Sequence, residues 1–360
     1  MKKIFKEILV DGLKIQNPIV LAPLATWLSD ESGEVKKNHI EHYKKRKGPG
    51  LIIVEAAAVS PEGRLSATQL GIFDDKQISG LSELRKTIEA NGDLPGIQIH
   101  HAGGKATLKT TYGLTPLVPS KSGVSENKEC RELSIKDILR IESDFVLAAE
   151  RAVQAGFKYI EIHGAHGYLG NQFLSLITNK RTDKYGGSLE NRQRFLMEIF
   201  TAVQEKVNGK ALVSCRLGAA ENEGISLDEG IDTAKRFETL GMKIINISCG
   251  HSLPEMSGSI DNDYSILMNL GAEIKKNTNM IVIGVGGVKE SEQAENILDQ
   301  GLVDMVAVGK AILCDPQWAW KTLNGTGETI NKCLDCKKCF WFTEPEKCPV
   351  HVKREKIKNS

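Results

Sequence analysis

Eight short apolar, β-branched runs, separated by longer amphipathic stretches, constrain this 360-residue chain more than any other feature. They lie at 19–22, 51–54, 96–99, 159–162, 211–214, 244–247, 280–283 and 305–308. A continuous apolar run of strand length suits a strand buried on both faces, as in a parallel sheet. Between the runs, residues 135–155, 189–207, 227–240 and 291–298 place apolar side chains three and four apart, the period of a helix with one buried face. Ser134 with Asp137 makes a capping-box start for the first of these. Gly156, Gly241 and Gly301 stand where left-handed C-terminal caps are expected. Strands alternating with helices predict an α/β chain, a (β/α)8 TIM barrel; a doubly wound open sheet satisfies the same strand count.

Residues 1–325 read as the barrel and 326–360 as a short Cys-rich tail. The polar segment 102–133 is too long for a structureless loop and predicts a lid or a small hairpin. The balance of 47 Lys+Arg against 46 Asp+Glu argues against a nucleic-acid surface but leaves room for a pocket binding one phosphate. The best membrane candidate, residues 51–59, contains Glu55 and falls far short of the ~20 apolar residues of a span. No long apolar run follows the basic N-terminus, so a secretory leader is not expected and the thiols are expected to stay reduced in the cytoplasm. Four of the eight Cys fall within residues 333–348, which is not the spacing of a disulfide framework.

In a barrel, reactive groups come from the C-terminal ends of strands. The strand ends here supply Pro23-Leu24-Ala25-Thr26-Trp27, Glu55-Ala56, Gln98 with His100-His101, His163 to Tyr168, and Cys215-Arg216. The last two runs lead into Gly286-Gly287 and Gly309-Lys310. Gly-rich turns expose backbone N–H groups, so this adjacent pair favours phosphate binding, though tight turns alone also call for Gly. His163, His166 and Tyr168 bring hydrogen-bond donors and a proton source into six residues. Two His three apart also suit a metal, but no third ligand is evident. Arg216 suits an anionic ring or phosphate, or a salt bridge with Glu161. Gln98 is a two-way hydrogen bonder at the mouth or a satisfied core amide.

Together these residues resemble the old yellow enzyme family of FMN-dependent ene-reductases. The most specific match runs from Ile160-Glu161-Ile162-His163-Gly164-Ala165-His166-Gly167-Tyr168 through Asn179-Lys180-Arg181-Thr182-Asp183-Lys184-Tyr185-Gly186-Gly187-Ser188 to Arg192, and the likeness covers roughly residues 5–325. It implies an FMN barrel in which Pro23, Leu24, Ala25, Ala56 and Gln98 hold the flavin ring, with Arg216 near its pyrimidine end. Gly286, Gly287, Gly309 and Lys310 would bind its phosphate. His163 and His166 would clamp a substrate carbonyl, Tyr168 would donate the proton, and Trp27 would lie over the substrate. The flavin would receive hydride from NADH or NADPH, or electrons from an external donor. Two positions depart from the family pattern: Ala25 stands where a Thr or Cys usually bonds the flavin, with Thr26 as a neighbouring substitute, and Lys310 replaces a bidentate Arg.

The tail carries Cys333, Cys336, Cys339 and Cys348, followed by Pro349. Three Cys at two-residue spacing and a distant Cys-Pro favour a [4Fe–4S] cluster over structural zinc. The tail loosely resembles the cluster-binding segment of the 2,4-dienoyl-CoA reductase and trimethylamine dehydrogenase branch. A cluster implies an electron-donor protein; zinc implies a staple and direct NAD(P)H reduction. The expected activity is reduction of the activated C=C bond of an α,β-unsaturated carbonyl compound. Alternatives are a flavin/cluster electron-transfer or redox-sensing protein, or an oxidative enzyme on the same barrel, acting on amines or forming a double bond. Homo-oligomerisation stays open.

Overall fold

The computed structural model describes residues 2–123, 129–255, 264–337, 339–342 and 347–358. All eight predicted strands form, and they close into one parallel barrel. In chain order they are β1 (Ile19–Leu21), β2 (Leu51–Ala58), β3 (Leu94–His100), β4 (Tyr159–Gly164), β5 (Leu212–Gly218), β6 (Ile244–Ser248), β7 (Ile281–Val285) and β8 (Met305–Val308), with β8 pairing back to β1. Closure settles the choice between a barrel and an open sheet.

Helices α1 (Lys37–Lys44), α2 (Gln77–Glu89), α3 (Ile135–Ala155), α4 (Leu169–Leu174), α5 (Leu189–Val207), α6 (Leu227–Thr239), α7 (Ile266–Asn277) and α8 (Ser291–Asp299) follow the strands. The chain ends with α9 (Lys310–Cys314), α10 (Trp318–Leu323) and α11 (Pro349–Lys358). Helix α3 starts as its sequence dictates: Ser134 accepts from the Asp137 N–H while Asp137 reaches back, and Gly156 ends the helix at φ 93°. No described helix is long and apolar enough to cross a membrane.

The core has two layers. Leu, Ile and Val side chains fill the space between strands and helices. A second cluster, with Val20, Leu51, Ile53, Tyr159, Leu212, Ile244 and Met305, fills the lower barrel interior. An N-terminal hairpin, Ile8–Val10 with Leu13–Ile15, turns through Asp11 and Gly12 at positive φ and adds Val10 and Ile15 to that interior cluster, closing the barrel floor. Segment 102–133 is ordered where described, but it contains no hairpin. Among the described residues its two short strands, Leu117–Val118 and Arg131–Glu132, pair in parallel and not as the two arms of a hairpin. Residues 124–128 within this segment, and 256–263 after β6, lie outside the described residues.

Candidate active site

Strand periodicity builds the site. Side chains two apart on a strand share a face, so above the apolar floor β3 contributes Gln98 and His100, β4 Glu161 and His163, β5 Ser214 and Arg216, and β6 Asn246 and Ser248. All eight are buried. Buried polar groups need partners, and the lower layer supplies them. Glu161 accepts from Gln98 Nε2 at 2.8 Å, Asn246 Nδ2 at 2.9 Å and Tyr159 Oη at 3.3 Å. Burial raises its pKa, opposed chiefly by the field of Arg216.

The upper layer holds the rings. Tyr168 stands edge-on to His100 at 4.5 Å and to His163 at 4.8 Å. His163 and His166 lie 5.0 Å apart, and His166 has left-handed backbone at φ 61°. Burial holds both imidazoles well below their ordinary pKa, so both are neutral and each carries one N–H. The Ala165 N–H donates to His163 Nδ1, which places the His163 proton on Nε2. That N–H faces His166 Nδ1 at 3.2 Å, and His166 Nε2–H then donates to Ser248 Oγ at 2.7 Å. Burial raises the Tyr168 pKa, with Arg216 pulling the other way, so its hydroxyl keeps its proton at neutral pH.

Two participants, Ser248 and Lys105, escape sequence reading, and His100 shows there only as a strand-end residue without a role. His100 packs against Tyr168, Ser248 ends the imidazole chain, and Lys105 places Nζ 5.2 Å from the Tyr168 ring centre while donating to the His166 carbonyl at 2.6 Å. Lys105 follows Gln98 and His100-His101 closely enough to have been a signal. Ser248 gave none.

The first loop is held differently from expectation. Strand β2 has a register irregularity between Val54 and Ala57, where Glu55 and Ala56 sit. The Glu55 carboxylate, fully buried, accepts from the Thr26 N–H at 2.7 Å, from the Thr26 hydroxyl and from the Trp27 N–H. The hydroxyl that could have replaced the missing Thr or Cys at Ala25 is therefore committed to Glu55. Trp27 is half-buried at φ 55°. Burial pushes Glu55 up to about 7.

The polar groups at the mouth fit a flavin ring. Arg216 Nε and Asn246 Oδ1 are buried without a hydrogen-bond partner among the described residues. Gln98 spends its N–H2 on Glu161, which leaves its carbonyl oxygen on the other side. Gly286 and Gly287 lie at φ 113° and 76°, a turn that only Gly makes without strain. Pro23 is buried and Leu24 and Ala25 half-buried beside this rim. A Cβ at Gly309 would come within 3.5 Å of Leu24.

Lys310 is exposed and lines a cavity of about 30 Å³ with Cys314 and all four tail cysteines. Those cysteines are free thiols. Among the described residues, no three His, Cys, Asp or Glu side chains converge closely enough to hold a metal ion.

A family model described as NADH:flavin oxidoreductase / NADH oxidase family matches residues 3–327. The chain is 41% identical over 341 residues to an NADH oxidase of Thermoanaerobacter brockii, covering 92% of this chain and 52% of that protein, so it spans about half of that relative's length. It is 39% identical over 334 residues to an NADPH dehydrogenase of Halalkalibacterium halodurans, covering 91% of this chain and 96% of that one. The old yellow enzyme homologue of Zymomonas mobilis has a similar structure, with a TM-score of 0.80 at 25% identity, covering 94% and 96%. With eight parallel strands closed below a His-His-Tyr mouth and a family match over nearly the whole barrel, this chain belongs to the NADH:flavin oxidoreductase, or old yellow enzyme, family.

Proposed function

We propose that this chain is an FMN-dependent oxidoreductase that reduces the activated C=C bond of an α,β-unsaturated carbonyl compound. The observation that carries this reading is the convergence of His163, His166 and Tyr168 beside Arg216, with His163 and Arg216 buried and His166 and Tyr168 half-buried at the mouth. FMN, when bound, supplies the hydride, and the NADH oxidase and NADPH dehydrogenase names of two relatives support NADH or NADPH as its source. Pro23, Leu24, Ala25, Ala56, Gln98 and Arg216 would hold the ring, and Gly286, Gly287, Gly309 and Lys310 its phosphate.

The chain's own residues then do three things. The single N–H groups that neutral His163 and His166 direct at His166 Nδ1 and Ser248 would turn to the substrate oxygen when it enters, polarising the conjugated bond without losing a proton. Tyr168, kept protonated by burial, holds its proton at Oη for the carbon next to the carbonyl. Trp27, fixed through Glu55, bounds the pocket. This reading is tested by anaerobic reconstitution with FMN followed by Tyr168→Phe. Alkene reduction is expected to fall by about 10²–10⁴-fold while FMN reduction by NAD(P)H persists. Unchanged alkene turnover would refute the proton-donor assignment.

A second reading concerns residues 326–360, which we take as an appended tail outside the barrel. The spacing of Cys333, Cys336, Cys339 and Cys348 favours a [4Fe–4S] cluster, with zinc as the competitor; the thiols line one cavity but would have to be drawn together by the ligand, and a cluster would draw electrons from a partner protein. Iron and zinc analysis of anaerobically purified protein decides between them: about four irons, about one zinc, or neither.

A further inference from the structure

The lower polar layer of the barrel contains a fully buried acid that the proposed reaction does not use. Both Glu161 oxygens act as acceptors, Oε1 from Gln98 and Oε2 from Asn246 and Tyr159. Three converging donors on two oxygens describe an ionised carboxylate. Each partner amide can present either its N–H2 or its carbonyl, and which one faces upward depends on what lies below. A carboxylate takes only N–H2, so it turns both carbonyl oxygens away from itself, and Asn246 Oδ1 is left buried without a partner. Arg216 stands on the neighbouring strand, where His163 pairs with Arg216 and Glu161 with Ser214. Among charges, Glu161 exerts the largest influence on Arg216, and Arg216 the largest on Glu161.

We propose that Glu161 is a positioning residue for FMN: its carboxylate orients the Gln98 and Asn246 amides as acceptors toward the ring and offsets part of the Arg216 charge. This rests on the FMN reading above. The pyrimidine edge of a flavin carries an imide N–H between two carbonyls. An acceptor held by Glu161 beside a donor such as Arg216 matches that edge; a flipped amide opposes it. Because reduction adds negative charge to this edge, the Glu161–Arg216 balance also sets how much more tightly the reduced form is held.

The test uses the FMN-loaded protein. FMN affinity is measured by fluorescence titration, and the midpoint potential by anaerobic equilibration with reference dyes. Glu161→Gln offers one acceptor and one donor, so one amide must flip. Oxidised FMN is expected to bind about tenfold more weakly, the order of one mispaired hydrogen bond. The potential is expected to move positive, because a negative charge beneath Arg216 has gone. Glu161→Asp keeps the charge but retracts it; it is expected to weaken FMN binding with the potential close to wild type. Unchanged affinity and potential in Glu161→Gln would overturn the proposal. So would weaker binding with an unmoved potential, which is what a merely structural residue would give. Should Glu161→Gln fail to fold, wild-type FMN affinity in Glu161→Asp overturns it equally. If wild-type protein itself binds no FMN, the FMN reading fails and the positioning role is not what failed.

Discussion

The barrel mouth and the Cys tail carry comparably dense sets of reactive side chains, yet the chain holds them in opposite ways. At the mouth, most polar groups rise from strands whose register is fixed by their neighbours, and Glu161, Gln98 and the two imidazoles are held by named partners while Arg216 Nε and Asn246 Oδ1 face the site unpaired among the described residues. His163 lies opposite Arg216 across β4 and β5, and Glu161 collects donors from β3, β4 and β6. In the tail, the four thiols face one cavity, but Cys336 and Leu334 are exposed. No regular element carries Cys333 or Cys336. The first region has its site preorganised by folding. The second has donors that a ligand would have to gather, as metal sites coupled to folding do.

The largest expected effect tests that preorganisation directly. Arg216→Ala would leave Glu161 as a buried carboxylate without its main opposing charge, and although the two make no direct ion pair, leaving a buried charge uncompensated is expected to cost about 3 kcal/mol or more. Urea unfolding should register that loss, with FMN retention falling in parallel. Cys348→Ser, by contrast, should leave barrel stability nearly unchanged. An equal loss from both variants would erase the distinction between the regions.

The same distinction explains what the sequence disclosed. All eight strands were legible because a strand buried on both faces must be apolar throughout, and α3 and α5 because a long helix with one buried face repeats clearly. Helix α1 was not legible: Lys-Asn-His-Ile-Glu-His-Tyr-Lys buries little besides His39 and Tyr43 and has no apolar stripe to read. At the site, His163, His166 and Tyr168 announced themselves because they are neighbours in sequence. Ser248 and Lys105 reach them only through barrel closure, from 82 and 61 residues away. Glu161 was legible as a salt-bridge partner for Arg216, but the two form no ion pair and act on each other only through their fields, and its grip on Gln98 and Asn246 exists only across the closed barrel. Thr26 as a substitute for the missing flavin donor was a reasonable expectation from adjacency. The Glu55 carboxylate, brought in by the irregularity in β2, claims that hydroxyl instead.

Glu55 supplies a second, smaller test of the mouth. Burial raises its pKa from 4.5 to about 7, and the fully buried His39 lies 3.8 Å away with its own pKa lowered to about 4, so it offers no charge in return. Folded protein therefore binds a proton that unfolded protein releases between about pH 4.5 and 7. Stability contributed by Glu55 is present below that window and is lost as pH rises through it, by about 3 kcal/mol at most. Glu55→Gln should flatten that part of the stability profile. It should also change the Trp27 fluorescence, since the Trp27 N–H loses a charged acceptor. A profile as steep as wild type would mean that Glu55 does not titrate there.

The smallest effect belongs to the tail's attachments. Lys289 pairs with Asp335, and Lys332 with Glu290 at 2.7 Å, joining the tail to the start of α8. All four side chains are 43–61% exposed, and pairs of that kind contribute about 0–1 kcal/mol and weaken with salt. A Lys289→Ala, Lys332→Ala variant should therefore unfold like wild type in the barrel, while limited proteolysis at low salt cuts its tail modestly faster. Adding zinc, or reconstituting with iron and sulfide, should then protect the tail in wild type and variant alike, and a chelator should remove that protection. If the ion pairs alone set the cleavage rate, with no response to metal or chelator, the four thiols are not a metal site. The contrast with the mouth would then be one between a built site and a merely attached segment.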